Sequence, residues 1–381
     1  MIWGQDAKKE DKPKSKDEPK KKDEPKKDGL KKDDPKKAAP KAEEKPKPPP
    51  PPYPGWELDK LNTPVELKQG TPMSGCWFDP SGKWLFTTGI DSFIYRWELA
   101  NNKKTELAGH GSWVRSLGFF PAKNLMVSAG YEGRLILWPI DGVQPEPLRQ
   151  VEAHEGWIRS IAVDAPTGNL VSTGNDGRIA LWSLPDLKPI RSWVGHDCHV
   201  YQVAFAQGGK EILSADLKGT IKVWESASGQ LLREGKPAAA LHKYDAGFAA
   251  DIGGVRHWAL SAKGDQLACA GISNVSNAFA GVGNPLIVVT DPATLKSKKL
   301  YKPKDAIQGT MWGVAFHPAG FLIGAAGGNG GGLWYWKPEQ GDSLRYHKLP
   351  DNARGMALSP DGTRLALAFA GGSARIYPLK A

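Results

Sequence analysis

Three residue types recur along the chain at spacings that could support nucleophilic catalysis. In three consecutive stretches a serine follows a histidine by 18 positions, and a tryptophan follows the same histidine by 28 positions. The sets are His110, Ser128 and Trp138, then His154, Ser172 and Trp182, then His196, Ser214 and Trp224. Together with Asp176 of the second set, these are the residue types of a hydrolytic triad, in which histidine takes the proton of the attacking serine. An active site is needed only once, so the threefold recurrence favours a structural role.

The run His196-Asp197-Cys198-His199 contains residue types that bind zinc. His196 already belongs to a repeated set, and the sequence offers no second cluster of ligands. The three cysteines are too widely spaced for a disulfide framework or a CxxC metal pair. No phosphate-binding, dinucleotide-binding, HExxH or GxSxG motif stands in a supporting context. We therefore predict no metal site, no cofactor and no catalytic residue.

The repeated residues lie on short strand-like runs separated by Gly-containing turns. Most strand-ending aromatics are 41 to 44 residues apart, and one longer gap hides a stretched unit that ends near 287–291. This period is typical of four-stranded propeller blades. We predict an all-β, seven-bladed β-propeller whose innermost strands lie near 76–78, 117–119, 161–163, 203–205, 258–260, 314–316 and 356–358.

Several motifs of the body carry a family resemblance. The Gly-His pairs at 109–110 and 195–196, the turns NDG and YEG and the strand-ending tryptophans resemble the WD40-repeat β-propeller family over residues 56–381. The resemblance implies that His154, Ser172, Asp176 and Trp182, with their counterparts, form a structural hydrogen-bond network. The counterpart of Asp176 is Glu132 in the second unit but Lys218 in the fourth, and the literal Trp-Asp ending is absent.

The last unit has three strands, and a spare strand precedes the first unit. We predict that Val65 to Leu67 complete the last blade by pairing with Ile376–Tyr377. This pairing closes the ring and removes an exposed sheet edge that would invite aggregation.

Residues 1–55 are predicted to be a disordered Lys/Asp/Glu/Pro-rich tail, and residues 56–381 the propeller. In residues 1–52, 17 lysines and 12 acidic residues account for half of the net charge of +10. Attachment to an anionic surface is one interpretation, but alternating charges favour a solubilising tether. We expect no nucleic-acid partner and no membrane span, and we expect a monomer. The start has no signal-peptide pattern, which indicates the cytoplasm unless a leader is missing; in that case the cell envelope or secretion is possible.

The positions just ahead of each inner-strand core are rich in arginine and aromatic residues. In a propeller these positions surround one mouth of the central channel. The candidate partner-binding residues are Trp113, Arg115, Trp157, Arg159, Tyr201, Arg256, Trp312 and Arg354; the first unit supplies only Pro72 and Ser74. Such a mouth suits an acidic or phosphorylated peptide. Alternatively, the arginines pair with neighbouring carboxylates and the tryptophans pack between blades.

Two insertions lie in the fifth unit, at 233–254 and 271–285. In WD40 propellers these loop classes emerge on the side of the same mouth. Phe248 and Phe279 suggest an adaptable apolar clasp over blades 5 and 6, although a neutral insertion is the alternative.

We expect a non-catalytic scaffold that binds a protein or peptide through this mouth and the blade-5 insertions. A propeller hydrolase or lactonase-type enzyme is one alternative, which requires Asp, Glu, Asn or His to converge on the channel. An envelope-associated protein tethered by its basic tail is another.

Overall fold

Runs of β-branched, leucine and aromatic residues form the strands of a ring of seven four-stranded sheets. The computed structural model describes residues 56–277, 281–304, 307–337 and 340–380. The predicted tail, residues 1–55, and Phe279 lie outside the described residues. Within these ranges, each of the seven four-stranded sheets is one blade, and its strands are antiparallel. The strands follow chain order from the channel outward. The last blade is the exception, because its outermost strand is the first strand of the chain.

The first strand and blades 1 to 3 are β1 (Val65–Lys68); β2 (Met73–Phe78), β3 (Trp84–Gly89), β4 (Ile94–Glu98) and β5 (Lys103–Leu107); β6 (Val114–Phe120), β7 (Leu125–Gly130), β8 (Arg134–Pro139) and β9 (Arg149–Glu152); and β10 (Ile158–Asp164), β11 (Asn169–Gly174), β12 (Arg178–Ser183) and β13 (Lys188–Val194). Blade 4 and the hairpin that follows it are β14 (Val200–Ala206), β15 (Glu211–Asp216), β16 (Ile221–Glu225) and β17 (Leu231–Gly235), then β18 (His242–Asp245) and β19 (Ala250–Gly253). Blades 5 to 7 are β20 (Val255–Leu260), β21 (Leu267–Asn277), β22 (Val282–Asp291) and β23 (Lys296–Tyr301); β24 (Gly309–Phe316), β25 (Leu322–Gly328), β26 (Gly331–Trp336) and β27 (Arg345–Leu349); and β28 (Ala353–Leu358), β29 (Arg364–Phe369) and β30 (Ser373–Pro378).

The innermost strands confirm the predicted all-β, seven-bladed propeller. All seven contain the predicted core residues, and each contacts the innermost strands of both neighbouring blades. Contacts between β28 and β2 close the ring.

Ring closure by the N-terminal strand is also confirmed, with a shifted register. β1 pairs antiparallel with β30, and Val65 faces Ile376 as predicted. Leu67 faces Ala374 and not Tyr377, because an antiparallel partner runs towards lower numbers as β1 advances. The segment before β1 extends the closure: Leu58 is buried in the core between blades 6 and 7, and its carbonyl oxygen accepts a hydrogen bond from His347 Nε2 at 2.7 Å.

The hydrophobic core lies between blades. In one such interface Val127 and Leu137 of blade 2 pack with Ile161 and Trp182 of blade 3. Because each blade is covered on both faces, middle strands such as β7 are buried along their whole length. Close packing on both faces holds each inner strand at a defined position around the channel.

The helical part of the described residues consists of two three-residue 3-10 turns, Pro121–Lys123 and Ala239–Leu241. No helix there is long and apolar enough to cross a membrane.

Candidate functional site

A β-bulge interrupts every innermost strand at the same point. In each blade, the register between the innermost and second strands shifts across one unpaired residue. A bulge takes that residue out of the ladder and redirects its side chain. We call the seven unpaired residues the mouth ring: Ser74, Arg115, Arg159, Tyr201, Arg256, Trp312 and Arg354. Six of the eight predicted partner-binding residues thus occupy equivalent positions, and Trp113 and Trp157 lie two residues before the bulges of blades 2 and 3.

From blade 3 to blade 7, the mouth ring alternates arginine with an aromatic residue. The guanidinium carbons of Arg159 and Arg256 each lie 4.8 Å from the ring centroid of Tyr201. The ring of Trp312 lies 5.8 Å from Arg256 and 5.2 Å from Arg354. These distances are typical of cation–π contacts. Aromatic faces therefore hold the guanidinium groups in place around most of the channel.

Three stacked rings extend this arc towards blade 2. The ring of Tyr131 lies 4.3 Å from that of Trp157 and within 3° of parallel, and 6.0 Å from that of Trp113. The two tryptophans are 45% and 43% exposed, so both residues of the stack remain accessible to solvent. Arg159 joins this stack to the arc, because its guanidinium carbon lies 4.6 Å from the ring of Trp157.

Two of the mouth arginines donate hydrogen bonds to neutral oxygen atoms. Arg115 donates to the carbonyl oxygen of Ser74 at 3.1 Å. Arg159 donates to Asn175 Oδ1 at 2.8 Å and to the Tyr131 hydroxyl at 3.0 Å. Arg256 Nε is buried and has no hydrogen-bond partner among the described residues. In that part of the chain, no carboxylate oxygen lies within 4.0 Å of any of the four guanidinium groups.

The electrostatics of the mouth reflect this lack of counter-charge. Burial lowers the pKa of Arg115; Tyr131 opposes this change, whereas the charges of Arg159 and Arg256 reinforce it. Burial and the charge of Arg115 lower the pKa of His257, the next residue after the blade-5 bulge, to about 4. A guanidinium keeps its charge regardless, while His257 is neutral at physiological pH. The mouth therefore presents concentrated positive charge, which favours an anion.

The repeated histidine, serine and tryptophan residues lie within the blades, away from the mouth ring. In blade 3, Trp182 Nε1 donates to Ser172 Oγ at 3.0 Å, and Ser172 Oγ lies 2.7 Å from His154 Nε2. His154 Nδ1 lies 2.9 Å from Asp176 Oδ2. Because a carboxylate only accepts, Nδ1 carries the proton, and the serine hydroxyl donates to Nε2. With Ser172 fully buried, this geometry suits a structural relay.

Blades 2 and 4 repeat the relay with different acids. In blade 2 Ser128 lies 2.6 Å from His110 Nε2 and accepts from Trp138 at 2.8 Å, while Glu132 pairs with His110 Nδ1. In blade 4 Ser214 lies 2.8 Å from His196 Nε2 and accepts from Trp224 at 2.9 Å. The acid there is Asp216, 3.0 Å from His196 Nδ1, and not the residue at position 218. The apparent loss of the acid at Lys218 was therefore a wrong interpretation, because the carboxylate reaches the imidazole from two residues earlier.

The metal-like run at 196–199 is part of this framework. Ligand atoms of Asp197, Cys198 and Asp216 lie within 4.8 Å of one another. Asp216 already accepts hydrogen bonds from His196 and from two backbone N–H groups. Burial and the charge of Asp216 raise the pKa of Cys198 to about 11, which works against the thiolate form that a metal binds. These contacts favour a hydrogen-bonded framework over a metal centre.

The first insertion of blade 5 contains structure that its composition did not indicate. Residues 233–235 belong to β17 of blade 4, and β18 and β19 form a two-stranded hairpin that contacts β21 of blade 5. Lys243 Nζ donates to the Val275 carbonyl oxygen at 2.9 Å, which joins the two insertions. Tyr244 and Phe248 of the hairpin are 57% and 61% exposed. The expected loop is thus a short hairpin with exposed aromatic residues.

Tyr131 is the mouth residue that the spacing of the repeats missed. It stands in the turn between the second and third strands of blade 2, and its N–H donates to the carbonyl oxygen of Trp113 at 2.9 Å. The same backbone contact joins Ile90 to Pro72 and Asn175 to Trp157 in blades 1 and 3. Aligning the first residue of each YEG or NDG-type turn would have identified this second set of positions around the mouth.

One family comparison bears on the chain. Residues 101–139, 145–183 and 187–225 match the model of the WD40 family, described as WD domain, G-beta repeat. Each matched range begins before or within the outer strand of one blade and ends at the third strand of the next, and each contains one complete histidine, serine and tryptophan set.

Proposed function

We propose that this chain, a WD40-repeat β-propeller, binds an acidic segment of a protein partner at its mouth. The fold commonly serves as a non-enzymatic protein-interaction scaffold. One observation carries the proposal: four arginines converge on the mouth, and none faces a carboxylate among the described residues. Grouped cations without counter-charge are unfavourable in the free protein. A carboxylate or phosphate from a partner removes that penalty and forms charge-assisted hydrogen bonds.

The aromatic residues support a peptide over a small free anion. The stack of Trp113, Tyr131 and Trp157 offers rigid, partly exposed rings beside the cations. Tryptophan, tyrosine and arginine are the residues that most often dominate binding energy at protein interfaces. Acidic side chains of a peptide would contact the arginines while its neighbouring residues pack on the rings.

The hydrolase alternative finds less support. A cavity of about 140 Å³ in the channel is lined by Arg115, Arg159 and Arg256 with His257, Gln202 and apolar or hydroxyl residues, and none of its described lining residues is Asp or Glu. Of the Asp, Glu, Asn or His residues that a channel hydrolase requires, His257 alone is among the described lining residues, and a metal site needs several such ligands.

Fluorescence anisotropy with three labelled dodecapeptides tests the proposal. One probe carries four glutamates, the second carries phosphoserines at the same positions, and the third carries glutamines. We expect the two anionic probes to bind about tenfold or more tightly than the glutamine probe, and we expect added salt to weaken their binding. Arg159→Glu combined with Arg354→Glu should abolish binding, whereas Arg149→Gln, an exposed change on outer strand β9, should not.

Thermal unfolding separates binding from stability in the same variants. The double variant should unfold within a few degrees of the parent, because the two arginines form no ion pair with a described carboxylate and the hydrogen bonds that Arg159 loses go to neutral, partly exposed groups. Undiminished binding by the folded double variant, or equal affinity for all three probes, would remove the proposal.

A further inference from the structure

Blade 1 leaves a gap in the mouth. At the bulge, where six blades carry Arg, Tyr or Trp, blade 1 carries Ser74, and Pro72 stands two positions earlier. These small side chains do not fill the space between blades 2, 6 and 7. A pocket of about 290 Å³ opens there, which we call the blade-1 pocket.

The walls of the blade-1 pocket are mainly apolar. Met73, Ile90 and Ala370 line it, and Trp113 and Trp312 stand on either side. Ile90 is 42% exposed, at the opening, while Met73 is 3% exposed. The volume is at the lower end of ligand pockets, which suits one bulky side chain and the groups next to it.

Two of the mouth arginines, Arg115 and Arg354, also line this pocket. Arg115 donates a hydrogen bond to the Ser74 carbonyl oxygen, and the guanidinium carbon of Arg354 lies 5.2 Å from the ring centroid of Trp312. Neither guanidinium has a described carboxylate within 4.0 Å. The pocket therefore combines an apolar chamber with two cations that form no ion pair with a described carboxylate.

We propose that the blade-1 pocket binds the C-terminal residue of the partner, with a bulky apolar side chain in the chamber and the free α-carboxylate on Arg115 and Arg354. Only at a chain end do an apolar side chain and an anionic group share one Cα. An internal glutamate or phosphoserine carries its charge at the tip of the side chain and offers no apolar group to the chamber. This inference rests on the proposed function, since it specifies which acidic segment the mouth accepts.

Anisotropy with the full-length protein and paired probes tests this assignment. The probes are fluorescein-labelled octapeptides with two internal glutamates that end in leucine, one with a free carboxylate and the other with a terminal amide. A third probe ends in serine with a free carboxylate. We expect the free-acid leucine peptide to bind about tenfold tighter than its amide, and we expect it to bind tighter than the serine peptide.

Pocket variants connect this preference to the structure. Ala370→Phe, in the turn after β29, places a larger side chain in the chamber, and Ile90→Glu places a carboxylate at its opening. Each variant should reduce the acid-over-amide preference to less than about twofold, by analogy with the loss of one charge-assisted contact. Arg149→Gln should keep the full preference. Thermal unfolding identifies any variant that fails to fold, and the second pocket variant then decides.

The outcomes distinguish this inference from the proposed function. Equal binding of acid and amide, with both lost in the Arg159→Glu and Arg354→Glu double variant, overturns the C-terminal assignment and leaves the mouth as an acidic-peptide site. A preference that survives both folded pocket variants also overturns the assignment. Failure of every anionic probe to bind removes both proposals.

Discussion

The relay of blade 3 can be tested by removing its central hydroxyl. Ser172 is fully buried and joins Trp182 Nε1 to His154 Nε2. Ser172→Ala removes both contacts and leaves a donor and an acceptor buried. Each unsatisfied buried group costs about 1–3 kcal/mol, so we expect a loss of roughly 2–4 kcal/mol in the free energy of unfolding. For a cooperative unit of this size, that loss lowers the unfolding midpoint by about 3–6 °C.

Blade 6 contains a matched control for the tryptophan of the relay. Gly324 occupies the position equivalent to Ser172, and a Cβ there would lie 2.8 Å from an atom of the Trp336 ring. Trp336 is buried, as Trp182 is, but its Nε1 has no hydrogen-bond partner among the described residues. Trp182→Phe and Trp336→Phe remove the same part of the ring. We expect Trp182→Phe to cost about 1 kcal/mol more, because only that change breaks a hydrogen bond.

Urea unfolding followed by far-UV circular dichroism gives these values without dependence on tryptophan emission. The double variant Ser172→Ala, Trp182→Phe should be more stable than the sum of the single effects predicts, because removing both partners leaves fewer unsatisfied groups. A cost below about 0.5 kcal/mol for Ser172→Ala, strictly additive effects, or equal costs for the two tryptophan changes would refute this account of the relay.

Two further predictions concern pH and ring closure. Burial and Arg115 lower the pKa of His257 to about 4, so the unfolded chain binds this proton first, and stability should fall as the pH drops from about 6.5 towards 4. The loss of unfolding free energy should be roughly 2 kcal/mol at most after allowance for partial exposure. In His257→Gln this part of the pH dependence of the urea midpoint should vanish. An unchanged pH dependence would contradict the argument. Leu67, 1% exposed in β1, anchors the closing strand, so Leu67→Ala should cost about 2–5 kcal/mol while the exposed Lys68→Ala costs little. Equal urea midpoints for these two variants would mean that β1 does not unfold together with the ring.

The number of blades and the closing strand could be predicted because the repeat period leaves few alternatives. Each blade must place its strands against the same neighbours, so histidine, serine and tryptophan recur at fixed separations wherever the relay is kept. The mouth-ring positions were accessible for the same reason, since the bulge falls two residues before the aligned core residue in all seven blades.

Compensating contacts could not be predicted from spacing. Asp216 replaces the acid at position 218 because its carboxylate reaches His196 from the end of β15. Such exchanges depend on how a turn is folded. The hairpin of β18 and β19 was missed because its short strands carry few apolar residues and gain their support from β21.

The framework also explains why the mouth arginines have no carboxylate partners. The acidic residues of the three relays pair with histidines instead: Glu132 with His110, Asp176 with His154, and Asp216 with His196. Burial is the largest single influence and acts to raise the pKa of each acid, but the hydrogen bond and charge of its histidine, together with backbone hydrogen bonds, leave the pKa lowered.

Because these carboxylates are held by histidines inside the blades, they are not available to the guanidinium groups at the bulges. Burial lowers the pKa of Arg354, and the charge of Asp351 only opposes that change. Asp351 accepts hydrogen bonds from the backbone N–H groups of Asn352 and Gly371 and forms no ion pair with that arginine. The residues that looked catalytic in the sequence therefore shape the mouth indirectly. Because these acids pair with histidines within the blades, the mouth keeps the positive charge on which the proposed binding of an anionic partner rests.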